Sequence, residues 1–176
     1  NFKVLKPAQI QILNTFIHNL SMNETLSIIN DTIVNEESIQ HVVVNAGKIV
    51  QIQKDEQLRE SVNNSDIINA DGQAVVWAAK FLNKPLKERV TGIDLMENLV
   101  ELAYKNNHKI FLFGAKEEVV KEVVTIYTKK YNKNLIAGYR NGYYNKEDEA
   151  SIAKEIASSG ANMLFVAITS PKKENF

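Results

Sequence analysis

The feature that most restricts this chain is a short apolar run that ends on a small or polar residue and gives way to a helical stretch, repeated along the sequence. His41-Val42-Val43-Val44 breaks at Asn45-Ala46-Gly47, Asp66-Ile67-Ile68-Asn69-Ala70 at Asp71-Gly72, and Lys109 to Phe113 at Gly114. Met163 to Ala167 runs into Ile168-Thr169-Ser170-Pro171. β-Branched runs of this length mark strands buried on both faces. Helical spacing fills the intervals: Ser21 to about Val34, with Glu24 in the capping-box position, then Asn45 to Gln53, Leu58 to Asn64, Gly72 to Leu82, Thr91 to Asn106, Glu117 to Tyr131 and Lys146 to Ser159. Leu135 to Gly138 reads as a further strand, and Ile10 to Phe16 alternates like a single N-terminal one. The pattern predicts an α/β fold that is Rossmann-like, with a mainly parallel sheet, helices on both faces and a small N-terminal β element. Ligands of such sheets gather beyond the carboxyl ends of the strands, so Asn45, Asp71, Gly114 and Thr169 are all expected on that rim.

Length and composition narrow the function. With 176 residues, 44% of them hydrophobic, the chain can build one substantial core, and a single domain over residues 1–176 is the simplest expectation. Lysine plus arginine (21) balances aspartate plus glutamate (21), which leaves no global field to hold nucleic acid. The absence of cysteine excludes disulfides, thiolate metal sites and cysteine nucleophiles, and fits a reducing cytoplasm. No apolar run approaches the ~20 residues that span a bilayer, so the chain is expected to be soluble or at most peripheral. It opens at Asn1 without a methionine and stops at Phe176 just after a strand and a lysine-rich turn, as a fragment would.

Among residues able to carry chemistry, Asp71 leads. It follows an apolar strand and precedes Gly72 and a helix, where its carboxylate could accept a proton from an attacking hydroxyl. The same position suits an N-cap of the Gly72–Leu82 helix, and the two roles can coexist. Gly114 could let a diphosphate approach the next helix's N-terminus, or simply make a strand-to-helix turn; Lys116-Glu117-Glu118 suits an anion poorly. Arg89 could clamp phosphate bidentately or be merely solvated. His18, His41 and His108 have no metal-ligand spacing, so they read as packing, as does Trp77. No glycine fingerprint for a dinucleotide follows any strand.

Several blocks in combination carry a resemblance. Ala70-Asp71-Gly72 with Val75-Val76-Trp77-Ala78, then Pro85-Leu86-Lys87-Glu88-Arg89-Val90-Thr91-Gly92-Ile93-Asp94-Leu95, Phe111-Leu112-Phe113-Gly114, Asn141-Gly142-Tyr143-Tyr144 and Ser170-Pro171-Lys172-Lys173-Glu174 resemble, in order and spacing, the WecG/TagA/CpsF glycosyltransferase family. The resemblance covers nearly the whole chain. It implies an inverting hexosyltransferase that moves a sugar, often N-acetylmannosamine, from a UDP-sugar donor to a polyprenyl-diphosphate-linked (undecaprenyl) sugar acceptor. Wall teichoic acid and other surface-polysaccharide linkage units are the implied products. The implied location is the cytoplasm, peripheral at the inner face of the cell membrane, reached through a basic C-terminal segment that would lie beyond Phe176.

By the same resemblance Asp71 is the base, and Asn45, Arg89 and Asp94 bind substrate. No cofactor and no metal are implied, and a homo-oligomer is left open. Two positions depart from the pattern: Val43 stands where many teichoic-acid members have threonine, and Lys173 where they have glutamine. The first removes a hydroxyl from the expected pocket; the second adds a cation that could contact a diphosphate or an acidic sugar. A non-catalytic nucleotide-sugar-binding or regulatory domain is the alternative reading.

Overall fold

The computed structural model describes residues 7–168 and contains two compact units, residues 1–95 and 96–176. In the first, β1 (Gln9–Ile12) and β2 (Thr15–His18) form an antiparallel hairpin in which Gln9 faces His18 and Ile12 faces Thr15. The single strand expected over Ile10 to Phe16 is therefore two strands, reversed at Leu13-Asn14, where Leu13 adopts φ 51°. The turn contains no glycine, so the usual composition cue for a hairpin is missing. Helix α1 (Met22–Val34) starts as its sequence predicts: Ser21 Oγ accepts from the Glu24 N–H at 3.2 Å, and Glu24 Oε2 accepts from the Ser21 N–H at 2.8 Å. Each side chain thereby satisfies a backbone donor that the first helical turn leaves unpaired.

Strand β3 (His41–Val44) leads through α2 (Ala46–Lys54) and α3 (Glu56–Asn63) to β4 (Ile67–Ala70), which pairs with β3 in parallel. The register sets Val43 opposite Asn69 and Val44 opposite Ala70. Because side chains alternate along a strand, Val42, Val44, Ile68 and Ala70 share one face. They are buried with Ile10, Ile12 and Ile17 of the hairpin, Ile49 and Ile52 of α2, Leu58 and Val62 of α3, and Val75 and Ala79 of α4 (Gln73–Phe81). The opposite face carries His41, Val43 and Asn69. Helix α5 (Gly92–Lys105) begins in this unit and continues into the second.

The second unit holds three parallel strands in the order β6-β5-β7, namely β6 (Ile136–Arg140), β5 (Ile110–Gly114) and β7 (Met163–Ala167). Every residue of β5 is buried, as its central place and unbroken apolar sequence require. Helices α6 (Glu117–Lys130) and α7 (Glu149–Ser158) connect the strands. Two expected boundaries shift: a 3-10 turn over Lys133–Leu135 precedes β6, and another over Lys146–Asp148 precedes α7. The class is α/β with parallel strands and a small N-terminal β element, as the sequence predicts, the element being an antiparallel pair and not one strand.

Candidate functional site

Asp71 sits just past the carboxyl end of β4. Its N–H donates to Val44 O at 2.8 Å, so the β3–β4 ladder continues to this residue and fixes its backbone. The side chain, half-buried, does not cap α4: Gly72 occupies the N-cap position with φ 102° and no side-chain cap bond forms there. This corrects the helix-cap reading of Asp71. Its Oδ2 instead accepts from the Gly92 N–H, 3.3 Å away, at the first residue of α5. The carboxylate thus faces the positive end of a helix other than the one it precedes, an arrangement that favours negative charge.

The connection from α4 to α5 makes this meeting possible. Val90 is fully buried and its N–H donates to Ala70 O at 3.2 Å, which draws the segment alongside the end of β4. Arg89 immediately before it is exposed, and its guanidinium has no hydrogen bond or ion pair among the described residues. Thr91 then starts α5: its hydroxyl accepts from the Asp94 N–H at 3.1 Å and donates to Asp94 Oδ2 at 2.6 Å. At Gly92 an added Cβ would lie 3.4 Å from Val43 Cγ2 and 3.7 Å from Asp71 Oδ2, so Val43 and Asp71 line the same spot.

Asn45 is the N-cap of α2, its Oδ1 accepting from the Lys48 N–H at 2.9 Å. A Cβ on Gly72 would come 3.9 Å from Asn45 Cβ, which sets the Asn-Ala-Gly and Asp-Gly turns side by side at the carboxyl ends of β3 and β4. The structure therefore brings Asn45, Asp71 and the Arg89–Asp94 segment together within the first unit. Gly114 belongs to the second unit, and Lys173, like Thr169, lies outside the described residues.

Gly114 has a structural explanation of its own. With φ 135°, a Cβ there would fall 2.4 Å from both the carbonyl carbon and the oxygen of Ala167, so only glycine fits between β5 and β7. Beyond it Lys116 caps α6 without a side-chain bond, and Glu117 in the first turn meets Lys121 at 3.0 Å and Asn141 at 2.7 Å. A concavity in the same unit is lined by Gly142, Tyr143, Tyr144, Asn145 and Asp148; the first three belong to the Asn141–Tyr144 block that carries the resemblance, and none is among the expected catalytic or substrate-binding residues.

Sequence spacing missed one convergence. His18 on β2 and His41 on β3 both reach β4: His18 Nδ1 accepts from the Ile68 N–H at 2.9 Å, and His41 Nε2 lies 2.7 Å from Asn69 Oδ1. Asn69, almost fully buried, passes the chain on by donating to Thr25 Oγ1 at 3.3 Å, and Thr25 in turn donates to Ser21 O at 2.9 Å. Burial pushes both histidine pKa values below the ordinary one; the charge of Asp66 opposes this at His18, and the Asn69 hydrogen bond opposes it at His41. The packing of β2 against β4, together with the β3–β4 pairing, creates this grouping. Among the described residues no cluster of three or more histidines or carboxylates could hold a metal ion, and no helix is long and apolar enough to cross a membrane.

Parallel strands whose carboxyl ends gather a carboxylate, an amide and a helix N-terminus define an α/β protein with its polar site on the strand rim. The chain belongs to the WecG/TagA/CpsF glycosyl transferase family, whose sequence model matches residues 10–176. A Bacillus subtilis (strain 168) protein named N-acetylglucosaminyldiphosphoundecaprenol N-acetyl-beta-D-mannosaminyltransferase is 37% identical over 123 residues, 70% of this chain and 47% of its own length. Its namesake in Bacillus spizizenii is 34% identical over 115 residues, 65% of this chain and 44% of its own. That of Staphylococcus aureus (strain NCTC 8325) is 31% identical over 171 residues, 96% of this chain and 66% of its own. The chain thus spans about half to two thirds of the length of the curated relatives it matches.

Proposed function

We propose that residues 1–176 form the core of an inverting hexosyltransferase that moves N-acetylmannosamine from a UDP donor to N-acetylglucosamine linked to undecaprenyl diphosphate, for teichoic acid or related surface polysaccharide. In this reading Asp71 is the base. As the acceptor oxygen attacks the anomeric carbon, its proton passes to the Asp71 carboxylate, the new glycosidic bond forms, and the bond to UDP breaks with its electron pair leaving on the diphosphate. A single displacement of this kind inverts the anomeric centre. Asn45 orients the sugar, Asp94 binds a sugar hydroxyl, and Arg89 offsets charge on the diphosphate, with no metal required. The enzyme acts in the cytoplasm, peripheral at the inner membrane face.

One observation carries this reading. The half-buried carboxylate of Asp71, at a strand end beside Asn45, is not consumed in capping α4 but is held by the backbone amide of Gly92, which follows Arg89 closely along the chain. Asp71→Asn keeps the shape and removes the base. The expected outcome is a loss of transfer on the order of a hundredfold or more with little change in melting temperature. Near-normal transfer by this variant, measured with UDP-N-acetylmannosamine and the lipid acceptor, would overturn the assignment.

A further inference from the structure

Helix α4 begins at Gln73, next to the Asp71 turn, and is apolar on both sides. Val75 and Ala79 enter the core. The opposite face presents Ala74, Trp77 and Phe81, with Trp77 67% and Phe81 87% exposed, and Leu82 follows at 45%. Aromatic residues this exposed on one helix face call for a partner surface. Lys80 on α4 and Lys84 just beyond it are also exposed, and neither meets an acidic side chain among the described residues.

That charge decides between partners. A second copy pairing this face with itself would gather Lys80 and Lys84 of both copies around one apolar contact with no acidic side chain on the face to offset them, a like-charge arrangement that opposes association. An anionic bilayer supplies the complementary sign, while tryptophan and phenylalanine settle at the boundary of headgroups and acyl chains and lysine stems reach back to the phosphates. We infer that the outer face of α4 lies on the surface of an anionic membrane, with Trp77, Phe81 and Leu82 entering the interface and Lys80 and Lys84 holding lipid headgroups. The inference rests on the proposed lipid-linked acceptor, whose sugar stands at such a surface: a helix that leaves the Asp71 turn and lies on the bilayer keeps that turn near the acceptor.

Trp77 is the sole tryptophan of the sequence, so its fluorescence reports this face directly. Vesicles of phosphatidylcholine containing about one third phosphatidylglycerol should shift the emission to shorter wavelength, and brominated lipid should quench it. Pure phosphatidylcholine should do so far less, and high salt should reverse the shift. Neutralising each lysine weakens binding about fivefold, so Lys80→Gln with Lys84→Gln should weaken it roughly 25-fold, with circular dichroism and melting unchanged. Phe81→Ser should also weaken binding, by loss of the apolar part alone. The same double lysine variant should transfer normally to a water-soluble acceptor and poorly to one embedded in vesicles.

No response to anionic vesicles would overturn the inference. So would a blue shift that follows protein concentration without lipid, which would mark a second copy, or emission already short in wavelength and indifferent to vesicles, which would mark cover by another part of the polypeptide. If Asp71→Asn transfers normally while the vesicle results hold, the catalytic assignment fails and the membrane surface stands.

Discussion

Replacing Gly114 by alanine separates the two roles that its sequence context leaves open. The added Cβ would stand 2.4 Å from the carbonyl carbon and oxygen of Ala167 and 2.8 Å from its Cα. All three are backbone atoms of the neighbouring strand, so no side chain can swing away. Either β7 shifts from β5, loosening the Ala115 N–H bond to Ala167 O at 3.0 Å, or the chain leaves φ 135°, which an L-residue rarely adopts. Forced backbone conformation costs about 1–3 kcal/mol and overpacking typically about 1–3 kcal/mol. A loss of about 3 kcal/mol is therefore expected, equivalent to a fall in melting temperature of roughly 6–12 °C for a chain of this size. Urea and thermal unfolding, followed by circular dichroism, measure it directly. If Gly114 instead serves only to admit the donor diphosphate, the variant melts within about 2 °C of the parent and the effect falls on the donor KM; that result would refute the packing argument.

Two further outcomes follow from the polar chain around β4. His18 and His41 have folded-state pKa values below the ordinary 6.5, so the folded state resists protonation that the unfolded chain accepts. Their stabilising contribution is complete above about pH 6.5 and is lost as pH falls below it toward the folded-state values, by at most about 1.4 kcal/mol per histidine per pH unit; chemical denaturation between neutral and mildly acidic pH should show the decline, and a flat profile would count against these positions. Asn69→Ala removes the acceptor of His41 and the donor to Thr25, and should cost about 2–3 kcal/mol in a urea titration, since a buried polar group left unpaired costs about 1–3 kcal/mol before any cavity is counted.

Local signals in this sequence were legible and distant ones were not. The Ser21–Glu24 capping box is written in residues three apart and forms as read. The β-branched run at His41–Val44 and the all-apolar Ile110–Phe113 likewise mark strands through their own composition. The hairpin reversal at Leu13 was hidden because its turn lacks glycine, so alternation continued across it on paper. Asp71 illustrates the limit at the site: its strand-end position was readable, but its partner Gly92 lies on another helix, and nothing near Asp71 favoured that partner over the adjacent α4. The convergence of His18 and His41 on β4 depends on the packing of the hairpin against that strand and on the β3–β4 pairing, which spacing alone does not encode.

The hydrogen bond that orients Asp71 has a consequence for how such a site can change over generations. Its donor is the main-chain amide of residue 92, which every amino acid except proline supplies. Substitution at that position by any residue but proline can crowd Val43, yet it keeps the donor. Orientation of the acidic group is thereby set by the backbone path of the segment and not by the identity of the side chain at position 92, so the carboxylate keeps its aim through any change there that leaves that path in place.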